Sequence, residues 1–156
     1  MHLEAALLLN PGAQLQLCGE CCTLGVVIRA SDDEDTWLEW RVDGLAIGER
    51  WLSIEKDARG QASVGLWQRT RGTAPQPFPD VLGHGAASLP LAERGEARYW
   101  ASGSAAIPAS GRLEFAVYKR PNEQIAFERF EREGEWWIGT GAPLEPRAVT
   151  LHSSSP

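Results

Sequence analysis

The sequence lacks clustered positive charge and long apolar runs. Its formal net charge is -6, and its arginines are dispersed along the chain. A nucleic acid or an anionic membrane surface recruits clustered lysine and arginine, so we expect neither as a partner. The apolar run at residues 5–9 is far shorter than the roughly 20 residues that cross a bilayer, so we expect no membrane insertion.

The chain also lacks a leader-like N-terminus and a paired set of cysteines. No basic segment precedes the first apolar run, which ends at residues 10–12, so we expect no signal peptide. Cys18, Cys21 and Cys22 are an odd number within a short stretch, unlike a secreted disulfide framework. We therefore predict a cytoplasmic protein. No second Cys or His pair at a zinc spacing follows, so we favour structural thiols over a metal site or a reversible disulfide.

What the chain has instead is aromatic and branched residues that alternate with polar ones. Leu38, Trp40 and Val42 alternate with Glu39 and Arg41, which is the period of a half-buried strand. Seven tryptophans, most of them in such segments, suit the pleated surface of a sheet. Since no window keeps helical spacing for three turns, we predict an all-β fold.

We predict a single domain over residues 1–156, made of two similar antiparallel β-meander half-units that pack as a sandwich or a barrel-like pair. The half-units cover 12–70 and 94–145, because the shift that places Leu38 on Leu113 also superimposes other apolar and aromatic positions. Residues 71–93 are rich in proline and glycine, and we interpret them as a long connection. The remaining predicted segments are a short helix or edge strand at 2–9, a strand at 105–109 and a tail at 146–156.

Several glutamates lie on predicted strands beside aromatic residues. They are Glu39, Glu55, Glu114, Glu128 and Glu131. A pair of carboxylates can act as general acid and general base. Because these glutamates alternate with apolar residues, we interpret them as outward-facing and paired with Arg41, Arg129 or Arg132.

No catalytic, metal or cofactor motif accompanies these glutamates. The acidic loop at residues 32–35 lacks the spacing and central glycine of a calcium loop, so we expect a solvated turn. Ser53 and Ser63 lie outside a G-x-S-x-G elbow, and we assign them no nucleophilic role. We interpret the tryptophans mainly as core residues, with a stacking platform for a sugar or a peptide as the alternative.

Two ordered motifs resemble a known bacterial family. The first motif is Trp37-x-Glu39-Trp40 followed by Trp51-Leu52-Ser53-x-Glu55, after Pro11-Gly12 and a hairpin; the second is Ile125-Ala126-Phe127-Glu128-Arg129-Phe130-Glu131, closing on Trp137-Ile138-Gly139. Over roughly residues 10 to 145 the chain resembles the bacterial domain-of-unknown-function family 4178 (DUF4178). The resemblance implies a small β-rich cytoplasmic domain. Some relatives are encoded near membrane-stress or polyamine-related genes, and no established activity is carried over.

The sequence thus favours a non-catalytic module that binds a protein partner as an adaptor. The alternative is a small-ligand binder for a polyamine or a sugar, and a Glu-dependent hydrolase is less favoured. The residues that we predict to bind the ligand or the partner are Trp37, Glu39, Trp51, Glu55 and Glu128. We predict no cofactor, no bound metal and no catalytic residue.

Overall fold

The computed structural model describes residues 1–56, 59–83, 85–104 and 106–152. In these ranges the chain forms eleven β-strands, one helical turn and two 3₁₀ turns. The elements are α1 (Leu3–Ala6), β1 (Gln14–Leu17), β2 (Glu20–Ser31), β3 (Thr36–Asp43), β4 (Arg50–Lys56), β5 (Ala62–Gly72), β6 (Val81–Leu82), a 3₁₀ turn (Gly85–Ala87), β7 (Leu89–Ser102), β8 (Ser110–Arg120), β9 (Glu123–Arg129), β10 (Trp136–Leu144), a 3₁₀ turn (Pro146–Ala148) and β11 (Val149–Leu151). The predicted all-β fold class is confirmed.

Eight strands close into an antiparallel barrel. The hydrogen-bonded order is β2-β3-β4-β5-β10-β9-β8-β7, and β7 pairs back onto β2 from Val27 to Ser31. Closure removes the free strand edges that an open sheet would expose. Outside the ring, β1 pairs with the first part of β2 and with β11, while β6 pairs with the start of β7.

Strand register sorts the residues of the barrel wall into an interior face and an outer face. In β3 and β4, Glu39 pairs with Ser53 on the interior face, while Trp40 pairs with Leu52 on the outer face. The outer face is not left to solvent. Its apolar residues on β2 to β5, such as Leu38 and Ile54, pack with α1, β1 and β11 in one buried cluster. Both faces of this wall are therefore covered.

A second outer cluster lies on β8, β9 and β10. Tyr118, Phe127 and Trp136 are buried there beneath Phe78 and Leu82 of the proline-rich segment. The hydroxyl of Tyr118 donates a hydrogen bond of 2.7 Å to the carbonyl of Pro79, which fastens this segment to the barrel. The segment is thus a cover for the barrel wall.

The interior itself has an apolar end and a polar end. The apolar end is a buried cluster in which Val26, Ile28, Tyr99, Leu113 and Phe130 pack together with Ile107 from the loop between β7 and β8. The polar end lies toward the opposite rim of the barrel and contains a cavity. The cavity therefore occupies one end of the barrel interior.

Some predicted segments differ from the structure. The predicted strand at 105–109 is wrong for residues 106–109, which are irregular, and residue 105 lies outside the described residues. Within 71–93, β5 extends to Gly72 and β7 begins at Leu89, so strands occupy both ends of the predicted connection. Residues 3–6 are helical, consistent with the first of the two alternatives.

The packing of two half-units as a sandwich is not confirmed, and neither is the internal repeat. The proposed shift places Leu38, on the outer face, on Leu113, which lies in the interior. A duplicated unit would keep the same residues inward, because a shift by one strand position exchanges the two faces of the sheet. No helix in the described ranges has the length and apolar character needed to span a membrane.

Candidate functional site

The polar end of the barrel holds a cavity of about 480 Å³. This volume falls in the range of small-molecule sites, roughly 300 to 1,000 Å³. Seven strands, β3, β4, β5, β7, β8, β9 and β10, supply its wall. The lining residues used below are Trp37, Glu39, Ser53, Glu55, Gly65, Trp67, Arg69, Glu93, Phe115, Val117, Lys119, Arg120, Gln124 and Glu128, with Asp35 at the rim.

Glycine on the interior face of β5 leaves room for this cavity. Gly65 faces Ser53 across the β4–β5 pair. A Cβ atom at Gly65 would lie 2.7 Å from both Ser53 Oγ and Trp67 Nε1, and 2.9 Å from Gln124 Nε2. Three polar groups therefore converge at a point that only glycine leaves open.

The floor of the cavity is an ion cluster built on Arg69. Its Nη2 donates to Oε1 of Glu39 and, at 2.7 Å, to Oε1 of Glu128. The other Glu39 oxygen accepts a 3.1 Å hydrogen bond from Trp37 Nε1. All three charged side chains are at least nine-tenths buried. Such a cluster is stable only when its charges are paired, because desolvation is costly.

One guanidinium facing two buried carboxyl groups drives their pKa values apart. Burial raises the pKa of Glu39, but the Arg69 charge and hydrogen bonds from Arg69 and Trp37 outweigh it and lower the pKa below its usual value. Burial, followed by the Glu39 carboxylate, raises the pKa of Glu128 well above its usual value. Of the two carboxyl groups beside Arg69, Glu128 is therefore the one that takes up a proton first as the pH falls.

Two atoms of this floor lack a partner within the described residues. They are Nη1 of Arg69 and Oε2 of Glu128, and both are buried. The opposite side of the guanidinium stacks on Trp51, with Cζ 4.1 Å from the ring centroid. A buried polar atom without a hydrogen bond is costly. The floor thus holds hydrogen-bonding capacity that the protein does not use.

Aromatic side chains form the walls above this floor. Trp37 and Phe115 both line the cavity and contact each other edge to face, with ring centroids 5.5 Å apart. Trp67 Nε1 donates a 2.8 Å hydrogen bond to Ser53 Oγ. The wall therefore combines flat apolar surfaces with a few oriented polar groups, as small-molecule sites do.

The rim is charged. Lys119 Nζ lies 3.7 Å from Oε1 of Glu55, and both side chains are partly exposed. Carboxylate oxygens of Asp32, Asp35 and Glu93 lie within 4.8 Å of one another at the same rim. Burial and the nearby charge of Glu55 raise the pKa of Glu93, although Lys119 opposes this.

The predicted binding residues are mostly brought together at this site. Trp37, Glu39, Glu55 and Glu128 line the cavity. Trp51 is interior but lies beneath Arg69, outside the lining. The interpretation that glutamates face outward is wrong for Glu39 and Glu128, which are 2% and 7% exposed. The predicted alternation of polar and apolar residues is present in these strands. The polar residues face the interior of the barrel, because the covering segments bury the apolar outer face.

Two of the other predicted side chains lie outside the site, and two lie within it. Glu114 lies on the outer face and accepts a 2.7 Å hydrogen bond from Arg129, as predicted for an ion-paired outer residue. Arg41 pairs with Asp43 and, at 3.9 Å, with Glu49, neither of which is among the predicted glutamates. Ser53 and Ser63 line the cavity, and no histidine is among the lining residues that the structure describes.

The cysteines and the acidic loop lie apart from the floor. Cys18, Cys21 and Cys22 are all free thiols. Burial, then the neighbouring Cys21 thiol, raises the pKa of Cys22, which favours the protonated thiol. In the acidic loop, Asp32 Oδ1 accepts the backbone N–H groups of Glu34 and Asp35.

The sequence analysis missed Arg69, Gln124, Glu93 and Lys119. The signal for Arg69 was available, since Trp67, Arg69 and Arg71 repeat every second residue of β5. That alternation places an arginine on the same face as a tryptophan. Gln124, Glu93 and Lys119 lie on other strands. Their approach to the site depends on the order of the strands around the barrel, which the sequence does not show.

Fold and site together define a closed eight-stranded antiparallel barrel with a small-molecule-sized cavity at one end. The chain belongs to the family described as domain of unknown function (DUF4178), which matches residues 10–146. It is similar to the uncharacterized proteins Rv2597 of Mycobacterium tuberculosis and Mb2628 of Mycobacterium bovis. Each is 24% identical over 158 residues, covering 95% of this chain and 73% of the relative. No solved structure matches the chain significantly.

Proposed function

We propose that this protein is a small-ligand-binding protein and that the barrel cavity is its binding site. The observation that carries the proposal is the cavity of about 480 Å³, whose aromatic walls lie above a floor where Arg69 Nη1 and Glu128 Oε2 are buried without a hydrogen-bond partner among the described residues. A ligand hydroxyl that reaches this floor can accept a hydrogen bond from Arg69 Nη1, and either a hydroxyl or an ammonium can donate one to Glu128 Oε2. Of the two ligand classes suggested by the sequence, a sugar therefore offers both kinds of group, whereas a protonated polyamine offers donors only.

The binder is non-catalytic in this proposal. Both oxygens of Glu39 already accept hydrogen bonds, from Arg69 and from Trp37. A carboxylate held in this way is a structural counter-charge, whereas a nucleophile or general base must reach the substrate. The Glu-dependent hydrolase therefore stays the least favoured alternative.

The adaptor hypothesis stays a prediction. In the described part of the chain, the large and strongly exposed apolar side chains are Leu8, Ile47, Val81 and Trp100. They belong to four separate segments. Single exposed apolar residues are normal on monomeric proteins and do not by themselves mark a partner surface. The cavity offers the more specific feature, and we therefore place ligand binding first.

The test is a thermal-shift screen followed by calorimetric titration. The compounds are diamines, sugars, polyols, amino acids and dicarboxylates, and the proteins are wild type, Glu128→Gln and Glu114→Gln. Glu114 is the matched control, because it also accepts a 2.7 Å hydrogen bond from an arginine but lies on the outer face. We expect a compound that stabilises wild type and Glu114→Gln equally and binds Glu128→Gln at least about tenfold more weakly. Failure of every compound to bind, or equal binding to all three proteins, would overturn the proposal.

A further inference from the structure

One ion pair crosses the mouth of the cavity. Lys119 is on β8 and Glu55 is on β4, and in the ring of eight strands three others separate them on either side. Their 3.7 Å contact therefore joins opposite walls of the barrel above the cavity. Both side chains are more than two fifths exposed, so the contact is weak and is screened by salt.

The mouth contains more acidic than basic groups. Glu55 and the close set of Asp32, Asp35 and Glu93 supply four carboxyl groups. Burial, followed by the charge of Glu55, raises the pKa of Glu93. Carboxylates crowded in this way gain from a positive charge placed between them.

Lys119 and Arg120 are the basic residues of the cavity lining near these carboxylates. The guanidinium of Arg120 turns away, since its Nη1 donates to the carbonyl oxygens of Ala86 and, at 3.0 Å, Ser88. The ammonium of Lys119 is thus the group that contacts the acidic mouth. It reaches that position on a flexible stem from the cavity wall, as a tethered alkylamine would.

We propose that the ligand is an organic cation with a primary ammonium group, and that Lys119 occupies the place of this group at the mouth while the cavity is free. This inference rests on the proposed function and narrows it to one ligand class. The ligand ammonium replaces Lys119 at Glu55, with Asp35 and Glu93 beside it. Its alkyl part then lies along the aromatic wall that Trp37 and Phe115 form together, and the exposed ring surface of this wall also attracts a cation.

The test uses 1,4-diaminobutane as the probe and 1,4-butanediol as its neutral counterpart. The chain has two lysines, which provides a matched control. Lys119→Met removes the ammonium group at the mouth. Lys56→Met removes the other lysine ammonium, which is exposed on the outer face of β4 next to Glu55. Calorimetric dissociation constants are compared at pH 7 and low salt, and melting temperatures confirm that each variant is folded.

We expect diaminobutane to bind Lys119→Met about fivefold more tightly than wild type, because no internal ammonium has to be displaced. Lys56→Met should bind as wild type does. Glu55→Gln, added to Lys119→Met, should weaken the diamine about fivefold, because the carboxylate that receives the ammonium is gone. The diol should bind none of the proteins measurably.

The outcomes separate the inference from the proposed function. In one outcome, a sugar or another neutral compound binds in a Glu128-dependent way, and Lys119→Met leaves the affinity for the diamine unchanged or lowers it. The inference about the ligand class is then overturned, and the cavity remains a binding site. If neither wild type nor Lys119→Met binds any compound, both are overturned.

A second measurement reads the position of Lys119 directly. Reductive ¹³C-methylation labels both lysine side chains and keeps their positive charge. Each labelled lysine gives its own NMR signal. Diaminobutane should shift the Lys119 signal in wild type and leave the Lys56 signal unmoved. An unmoved Lys119 signal at saturating diamine would contradict the displacement.

Discussion

The two ends of the barrel interior lie within one ring of strands but solve different problems. At the apolar end, Leu113 and Tyr99 are almost completely buried and fill the space between the walls. At the polar end, β3, β5 and β9 carry Glu39, Arg69 and Glu128 around a cavity. The first end stabilises the fold by excluding water, whereas the second keeps charges that are tolerated only because they pair with one another.

This difference teaches that burial alone does not identify the core of this protein. Glu39 is as inaccessible as many core residues, yet it belongs to the candidate site. An ion cluster is a poor way to gain stability, since well-packed apolar residues are often as good or better. Its presence beside the cavity supports the ligand binding proposed above.

The largest effect should come from breaking the ion cluster. Arg69→Leu leaves the buried Glu39 without its counter-charge, and we expect a loss of about 3–5 kcal/mol in the free energy of unfolding. The matched change is Arg129→Leu on the outer wall, whose partner Glu114 is partly exposed. That change should cost only about 1 kcal/mol. Urea unfolding of both variants checks the comparison, and equal losses would show that the floor is not a desolvated cluster.

The next effect concerns the apolar end. Leu113→Ala removes a fully buried side chain, and we expect a loss of about 3 kcal/mol from transfer and cavity terms. Val117→Ala, four residues along the same strand, only enlarges the existing cavity and should cost about 1 kcal/mol. Denaturant unfolding measures both. A larger loss for Val117→Ala would mean that the polar end contributes as much packing as the apolar end.

A third effect is a pH dependence carried by Glu128. Its pKa is raised in the fold, so its contribution to stability is complete below its unfolded pKa of about 4.3 and is lost as the pH rises through the folded pKa. Glu39, with a lowered pKa, contributes in the opposite sense: its share is lost as the pH falls through its folded pKa. Wild type should therefore lose stability on alkalinisation by at most about 1.4 kcal/mol per pH unit from Glu128.

Glu128→Gln should remove this part of the pH dependence, because an amide stays neutral and can still donate a hydrogen bond. Unfolding free energies at pH 5, 6, 7 and 8 give the slopes, with Glu114→Gln as the outer-face control. Parallel slopes for wild type and Glu128→Gln would contradict a raised pKa of Glu128 in the fold.

The smallest effect should follow from opening the ion pair at the mouth. Lys119→Met and Glu55→Gln each remove one partner of a partly exposed contact, and we expect less than about 1 kcal/mol in stability. Thermal unfolding at low and high salt is sufficient to check this. A loss of several kcal/mol would show that the stability of the fold depends on this ion pair. A ligand could then not displace Lys119 from Glu55 without destabilising the protein.

Part of the fold was predictable from the chain because strand periodicity is local. The alternation through Trp37 to Val42 and through Trp51 to Lys56 indicated strands that the structure contains as β3 and β4. The same two segments contain Trp37, Glu39 and Glu55, three of the predicted binding residues that line the cavity. They did not indicate Trp51's position beneath Arg69, because the contact of these two residues depends on how neighbouring strands are paired.

The amino-acid sequence by itself determined the strands, their two faces and the nearness of tryptophan to glutamate, since these follow from a period of two along each strand. Only the tertiary structure decided which face is the interior, because the alternation shows that a strand has two faces but does not show which of them points inward. Closure of the barrel and the covering segments then bury both faces. It also decided that Glu39, Arg69 and Glu128 meet, and that Lys119 faces Glu55 across the mouth. These partners are far apart in the chain, and ring closure alone brings them within contact distance.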